Sequence, residues 1–226
     1  MILAIDTSTE WMGLALADHE MVWYEKVWKT MRRHTVELAP AVNLALNETG
    51  LSPKSLSSIA VALGPGSFTS LRIGLAFAKG LSLSLNIPVV GIPTLNITAR
   101  GQSPADLLLL CVLRSGRERL AVCEYQYSQK GWQAISDIYT ASAQELEERI
   151  TSPTIVRGEI DEQERRCLKR RWRNALVADP DQNIRRPSVL AAMALEQLDE
   201  NGKEHAFLLN PIYVQTLAHP DQPSAG

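Results

Sequence analysis

Residues 1–28 read MILAIDTSTEWMGLALADHEMVWYEKVW, and the fold turns on how this stretch divides. Ile2 to Ile5 is a short apolar run closed by Asp6-Thr7-Ser8-Thr9, a cluster whose side chains bond back to nearby main chain and so favour a turn. Met12 to Ala17 is a second apolar run, and Asp18-His19-Glu20 breaks it. Met21 to Trp28 alternates apolar with polar residues and carries the β-formers Val22, Tyr24 and Val27. The spacing predicts three consecutive strands joined by tight turns, an antiparallel meander.

Beyond the meander, Arg32 to Asn47 is rich in Leu and Ala and reads as a helix starting near Thr35, with Gly50 suited to its end. Pro40 is compatible with that helix only near its first turn, where N–H groups lack helical partners. Ser58 to Leu63 is a fourth strand, Gly64 to Thr69 a glycine-bearing loop, Ser70 to Leu85 a helix, Pro88 to Ile92 a strand, and Thr94 to Arg100 a short helix. Gly101-Gln102-Ser103-Pro104 reads as a hinge. After it, Leu107 to Leu113, Arg119 to Tyr127 and Trp132 to Tyr139 form a second three-strand run, its first turn at Arg114-Ser115-Gly116-Arg117. Helices follow at Ser142 to Ile150 and Asp161 to Trp172, with strands near Thr154 to Arg157 and Ala175 to Ala178. Pro187 to Asn201 is a helix with Pro at its start and Gly202 past its end. The polar, Pro-rich segment after Leu217 reads as a frayed tail. The repeated order of elements predicts two α/β lobes, 1–101 and 102–226, with a cleft between them.

Composition narrows the class. The chain has 226 residues, 45% hydrophobic and 21% charged, and 23 basic against 25 acidic side chains leave a net charge of −2. That excludes a disordered chain and gives no global electrostatic case for nucleic acid or an anionic membrane. Cys111, Cys123 and Cys167 form no CxxC pair, so neither a disulfide framework nor a zinc site is expected. Asp6 interrupts the first apolar run too early for a signal peptide, and Pro88, Gly91 and Pro93 break the uncharged stretch Gly80 to Ala99. A soluble, cytoplasmic protein is expected, with no membrane association.

ILAIDTST at Ile2–Thr9 and GPGSFTSLRIGLAFAKGL at Gly64–Leu81, in this order of elements, resemble the TsaB (YeaZ) family within the actin/Hsp70/sugar-kinase superfamily of two-lobed ATPases. The motif residues are Asp6, Gly64, Pro65, Gly66, Ser67, Phe68, Thr69 and Arg72, with softer matches at Arg33-His34-Thr35 and Asn210-Pro211-Ile212-Tyr213. The likeness is strong over the first hundred residues and weak after them. Two positions depart from the family: Ser70 replaces a glycine, and Arg114-Ser115-Gly116-Arg117 replaces an Asp-Ala-Arg turn.

ATPases of that superfamily cradle phosphate with Asp-x-Gly-x-Thr/Ser, where glycine lets backbone N–H groups approach the ligand. Here Ser8 stands at the glycine position and no Gly-Gly follows, so either the nucleotide site is degenerate or Asp6 merely ends a buried strand. No P-loop and no GxGxxG exists. Gly64 to Thr69 invites a phosphate-loop reading, but it lacks a lysine and reads better as a rigid turn with Thr69 capping the next helix. His19, His34, His205 and His219 have no His or Cys partner at metal-binding spacing, and Ser67 does not lie in GxSxG. The expectation is no catalytic, cofactor-binding or metal-binding residue, with His34 structural. Both first-lobe helices carry more apolar residues than one buried stripe needs. Leu38, Val42, Leu46, Leu71, Leu75 and Ala78 are therefore expected to face a partner chain, the alternative being that the lobe itself buries both helices. Arg165, Arg166, Lys169, Arg170, Arg171, Arg173, Arg185 and Arg186, with Trp172, form a basic stretch that reads either as a solvated helix face or as an RNA contact.

The resemblance implies a part in making N6-threonylcarbamoyladenosine on tRNAs that read codons beginning with adenine. It implies a non-catalytic subunit that pairs with a catalytic paralogue, TsaD, through the first-lobe helices and helps recruit an ATPase, TsaE. Self-association through the same surface is expected when the partner is absent. The competing reading is an active ATP-dependent transferase or kinase of the superfamily.

Overall fold

The computed structural model describes residues 1–116, 118–171, 174–201 and 209–214. The meander is present as β1 (Ile2–Asp6), β2 (Trp11–Ala17) and β3 (Val22–Lys29), followed by α1 (His34–Glu48), β4 (Ser58–Ala62), α2 (Phe68–Leu85), β5 (Val89–Ile92) and α3 (Thr94–Arg100). The sheet order is β3-β2-β1-β4-β5, with β1, β4 and β5 parallel to their neighbours in that half. β1 is buried along its whole length, which explains why its sequence does not alternate: helices cover both faces of the sheet.

The second unit repeats the plan. It contains β6 (Leu108–Arg114), β7 (Leu120–Ser128), β8 (Gly131–Ala134), β9 (Tyr139–Ala141), α4 (Ala143–Arg149), β10 (Thr154–Gly158), α5 (Glu162–Leu168), β11 (Ala175–Val177) and α6 (Pro187–Asn201). Its order, β11-β10-β6-β7-β8, traces the same path as the first sheet. This is the two-lobed actin/Hsp70/sugar-kinase-like architecture. The stretch from Trp132 to Tyr139 is not one strand: β8 pairs with the far end of β7, and β9 with its start. The helix expected at Asp161 ends at Leu168 and tightens into a single turn over 169–171, while Trp172 lies outside the described residues. So do Arg117, Arg173, Gly202, His205, His219 and the tail after Leu217.

The lobes exchange a helix, so the boundary at residue 101 needs correction. α1 and α2 pack on one face of the first sheet, but the other face is covered by α6, through Leu190, Ala191 and Ala194. α4 and α5 cover one face of the second sheet, and the other face receives α3, through Leu95 and Ala99. Residues 209–214 also return to the first lobe, where Ile212 N donates to Leu63 O at 2.7 Å. Helix ends differ in detail. α1 starts at His34, not Thr35, with Arg33 at the cap and no capping side chain, and Pro40 sits in its second turn. α2 starts at Phe68 with Ser67 at the cap, so Thr69 is not the cap residue.

Candidate functional site

The sequence motifs meet one another. Ser67 N donates to Ser8 O at 2.7 Å, joining the Gly64–Thr69 loop to the turn after β1. A Cβ on Gly66 would stand 2.3 Å from Ser8 O, and one on Gly74 would stand 2.2 Å from Thr7 Oγ1. Both glycines are therefore required by close approach. Thr7 Oγ1 donates to Ser70 O at 2.8 Å, and His34 Nε2 donates to Thr9 O at 2.8 Å. Ile212 O lies where a Cβ on Gly64 would be, at 2.6 Å, and the Gly64–Pro65 bond is cis. The motifs thus form a joint between β1, α1, α2 and the 209–214 segment. His34 is buried within it.

The turn after β1 is occupied by the protein itself. Arg185 reaches it from a sequence separation of 179 residues, and its Nε donates to Asp6 Oδ2 at 2.9 Å. Its Nη1 donates to Glu159 Oε1 at 2.6 Å and its Nη2 to Thr9 Oγ1 at 3.1 Å. The Arg185 and Asp6 side chains are 3% and 4% exposed. Burial disfavours the Arg185 charge, but Asp6 and Glu159 outweigh that penalty and hold the guanidinium above its usual range. Ser8 N donates to the other Asp6 oxygen at 2.8 Å, and Ser8 Oγ is paired with Thr94 Oγ1. Every polar group of the Asp6-Thr7-Ser8-Thr9 turn named here already has a protein partner. Glu159 comes from the second lobe, so the network also ties the lobes together. Neither Arg185 nor Glu159 is legible as part of this site from the sequence, where Arg185 reads as one more cation in a basic run.

Above this network lies a cleft of about 950 Å³ between the lobes, with Trp11 and Phe68 on one side and Arg114 and Ile160 on the other. Phe68 is half exposed at its mouth and stacks on Tyr213 with ring centroids 4.8 Å apart. The Arg72 guanidinium sits 3.8 Å over the Phe68 ring, and its Nε donates to the Tyr213 hydroxyl at 3.0 Å. Phe68, Arg72 and Tyr213 thus bind the Gly64 motif to the C-terminal Asn210–Tyr213 motif.

The six residues expected on the partner surface do not lie on a surface. Leu38, Val42, Leu46, Leu71, Leu75 and Ala78 are 0–5% exposed and form part of the first lobe's own core. Helical periodicity explains the error: these positions share the stripe that faces the sheet. The excess apolar character is real, but it resides on other residues. On α1 the exposed positions include Val36, Ala39, Pro40, Asn43 and Leu44, and on α2 they include Ala76, Gly80 and Leu83, with Ile73 and Phe77 half-buried. A Cβ on Gly80 would meet nothing within 4 Å.

Among the described residues the basic stretch does not make one face. Arg165 is buried and donates to Ala178 O, Arg166 pairs with Glu162 at 3.0 Å, and Arg186 pairs with Glu25. Arg185 is buried as well, while Lys169 and Arg170 are exposed; the side chain of Arg171, with Trp172 and Arg173, lies outside what is described. The described residues contain no cluster of three or more His, Cys, Asp or Glu placed to hold a metal ion, and no helix long and apolar enough to cross a membrane.

Residues 28–163, more than half of the chain, match the family model described as TsaD, tRNA N6-adenosine threonylcarbamoyltransferase. The chain is similar to the tRNA threonylcarbamoyladenosine biosynthesis protein TsaB of Bacillus subtilis, 38% identical over 56% of this chain and 55% of that one. It is similar to TsaB of Escherichia coli, 33% identical over 58% of this chain and 57% of that one. The matched region therefore spans little more than half of either relative. The solved structure of YeaZ from Pseudomonas aeruginosa superposes with a TM-score of 0.77 at 20% identity, covering 94% of this chain and 99% of that one, which speaks for the fold. Taken with the interlocked motifs and the two matching sheets, these findings show that the chain belongs to the TsaB (YeaZ) family.

Proposed function

We propose that this chain serves the formation of N6-threonylcarbamoyladenosine on tRNA as a non-catalytic subunit working in the cytoplasm. Its partner is a TsaD-like catalytic paralogue, and the pair helps recruit a TsaE-like ATPase. The tRNA is the substrate of the assembled complex. The observation that carries this reading is Arg185: a buried guanidinium fills the position beside Asp6 where an ATPase of this fold would cradle phosphate. Displacing it would strand Asp6 and Glu159 as unpaired, largely buried carboxylates.

The outward faces of α1 and α2 support pairing. From Val36 to Asn47 the only charged residue is Glu37, and from Ile73 to Leu85 the only one is Lys79, whose ammonium donates to Leu209 O at 2.8 Å. An apolar, charge-poor surface of two adjacent helices is what a paralogue's equivalent helices would cover. The same surface would let two copies of the chain associate when the paralogue is absent. The test is tRNA threonylcarbamoylation with the TsaD-like chain alone, this chain alone and both together. Activity that needs both, with no ATP turnover by this chain, supports the reading.

The size of the interlobe cleft favours the second reading, an ATP-dependent transferase or kinase. Calorimetric titration with Mg-ATP separates the two, because micromolar binding with turnover by the isolated chain would sink the non-catalytic role.

A further inference from the structure

A second crevice, of about 730 Å³, lies at the junction of the lobes, where the 101–105 linker, β10, residues 182–186 and the start of α6 converge. Arg157 projects from β10 onto its wall. Its Nε donates to Gln102 Oε1 at 2.8 Å, and its Nη1 lies 3.2 Å from Val156 O and 3.3 Å from Leu176 O. Gln102 is itself pinned, with its Nε2 donating to Thr98 O at 3.1 Å. The guanidinium is thus fixed in orientation by neutral acceptors. Among the described residues no carboxylate pairs with it, and its Nη2 has no partner. Burial lowers its pKa from the ordinary arginine value, the reverse of what Asp6 and Glu159 do for Arg185.

The nearest acidic group on the wall, Glu25, does not relieve this charge. One of its oxygens accepts from Arg186 Nε at 3.0 Å, and the other accepts from Ser188 N at 2.9 Å, at the start of α6. The crevice therefore holds one oriented, uncompensated cation, while the half-buried Ile155 and Val189 supply an apolar wall. An oriented guanidinium with open N–H groups is suited to phosphate oxygens, and the volume suits a ligand the size of a mononucleotide. We propose that this crevice binds a phosphate-bearing small molecule of nucleotide size, with the phosphate on Arg157 and the apolar part against Ile155 and Val189. The crevice shares the 183–185 wall with the cleft above the Asp6 turn, but the anion subsite at Arg157 is distinct from that turn and does not depend on the function proposed above.

Calorimetric titration of the full chain with adenosine 5′-monophosphate, inorganic phosphate and adenosine tests this. The monophosphate is expected to bind saturably, adenosine is not, and Arg157→Gln is expected to weaken binding about tenfold or more. Lys29→Gln, on the wall of the other cleft, should leave the affinity unchanged. Amide shifts on adding the monophosphate to wild type should centre on residues 102–105 and 155–157, which keeps the proposal testable should Arg157→Gln fail to fold. Inorganic phosphate binding as tightly as the monophosphate would keep the anion subsite and overturn the nucleotide-sized ligand. No saturable binding at millimolar concentration, shifts confined to the Trp11–Phe68 cleft, or unchanged affinity in Arg157→Gln would overturn the whole proposal.

Discussion

Replacing Arg185 by Met is the sharpest perturbation of the network that fills the turn after β1. It keeps an apolar stem of similar shape and removes three donated bonds, to Asp6 at 2.9 Å, Glu159 at 2.6 Å and Thr9 at 3.1 Å. Asp6 stays 4% exposed with no cation against it, and Glu159, 21% exposed, keeps partial access to water. Removing one partner from a buried charge pair costs about 3–5 kcal/mol, most of it the stranded charge. For a chain of this size each kcal/mol moves the melting temperature by about 2–4 °C, so a fall of roughly 6–20 °C is expected. Guanidinium denaturation and calorimetry both read the change. Combining Arg185→Met with Asp6→Asn should cost less than the two single changes summed, because the second removes the charge that the first strands. Arg185→Lys should fall between, since an ammonium cannot reproduce the fork. A loss below about 1 kcal/mol for Arg185→Met, or strict additivity with Asp6→Asn, would refute the idea that Arg185 answers a buried carboxylate.

Two further outcomes follow from the packing and the charges. At Glu25, burial raises the carboxyl pKa, but hydrogen bonds from Arg186 and Ser188 outweigh it and hold the group below the ordinary carboxylate value of 4.5. A depressed folded value adds stability above the unfolded pKa and loses it on acidification, so Glu25→Gln should be less stable than wild type at neutral pH, with the gap closing below pH 4.5. Denaturation series at several pH values check this, and a gap that persists or widens in acid contradicts it. Gly158 has φ +128 and a Cβ there would stand 1.9 Å from Val112 O, so Gly158→Ala should cost on the order of 3 kcal/mol or more. Gly80→Ala, in open space inside α2, should instead stabilise the isolated chain by about 0.5–1 kcal/mol, and equal effects at the two sites would contradict the packing argument.

Much of the fold is legible in the sequence because its signals are local. Alternation and turn clusters mark β1 to β3, and Pro187 brackets the start of α6 at the residue where it begins. The helix exchange between lobes is not local. The apolar faces of α3 and α6 say that each needs a sheet, but not which one, and each takes the sheet of the other lobe. The same limit governs the partner face. Counting apolar residues on α1 and α2 detects the excess, yet the strongest stripe, with Leu38, Val42 and Leu46, is the one the lobe uses for itself. Asp-substitution at Val42 or Leu75 would therefore unfold the lobe rather than separate partners. At the site, Ser8 at the glycine position marks a departure from the phosphate-cradling pattern. The group that takes its place is invisible, because Arg185 differs from its basic neighbours only by where the chain carries it.

In the function proposed above, the outward faces of α1 and α2 are kept for another chain. Molecular-mass measurement of mixtures with a TsaD-like paralogue tests it most directly, using wild type and Ala76→Arg, whose substitution lies on the exposed face of α2. Wild type should form a stable complex, and Ala76→Arg should elute uncomplexed with an unchanged melting temperature. Assembly by Ala76→Arg as complete as that of wild type would contradict the account.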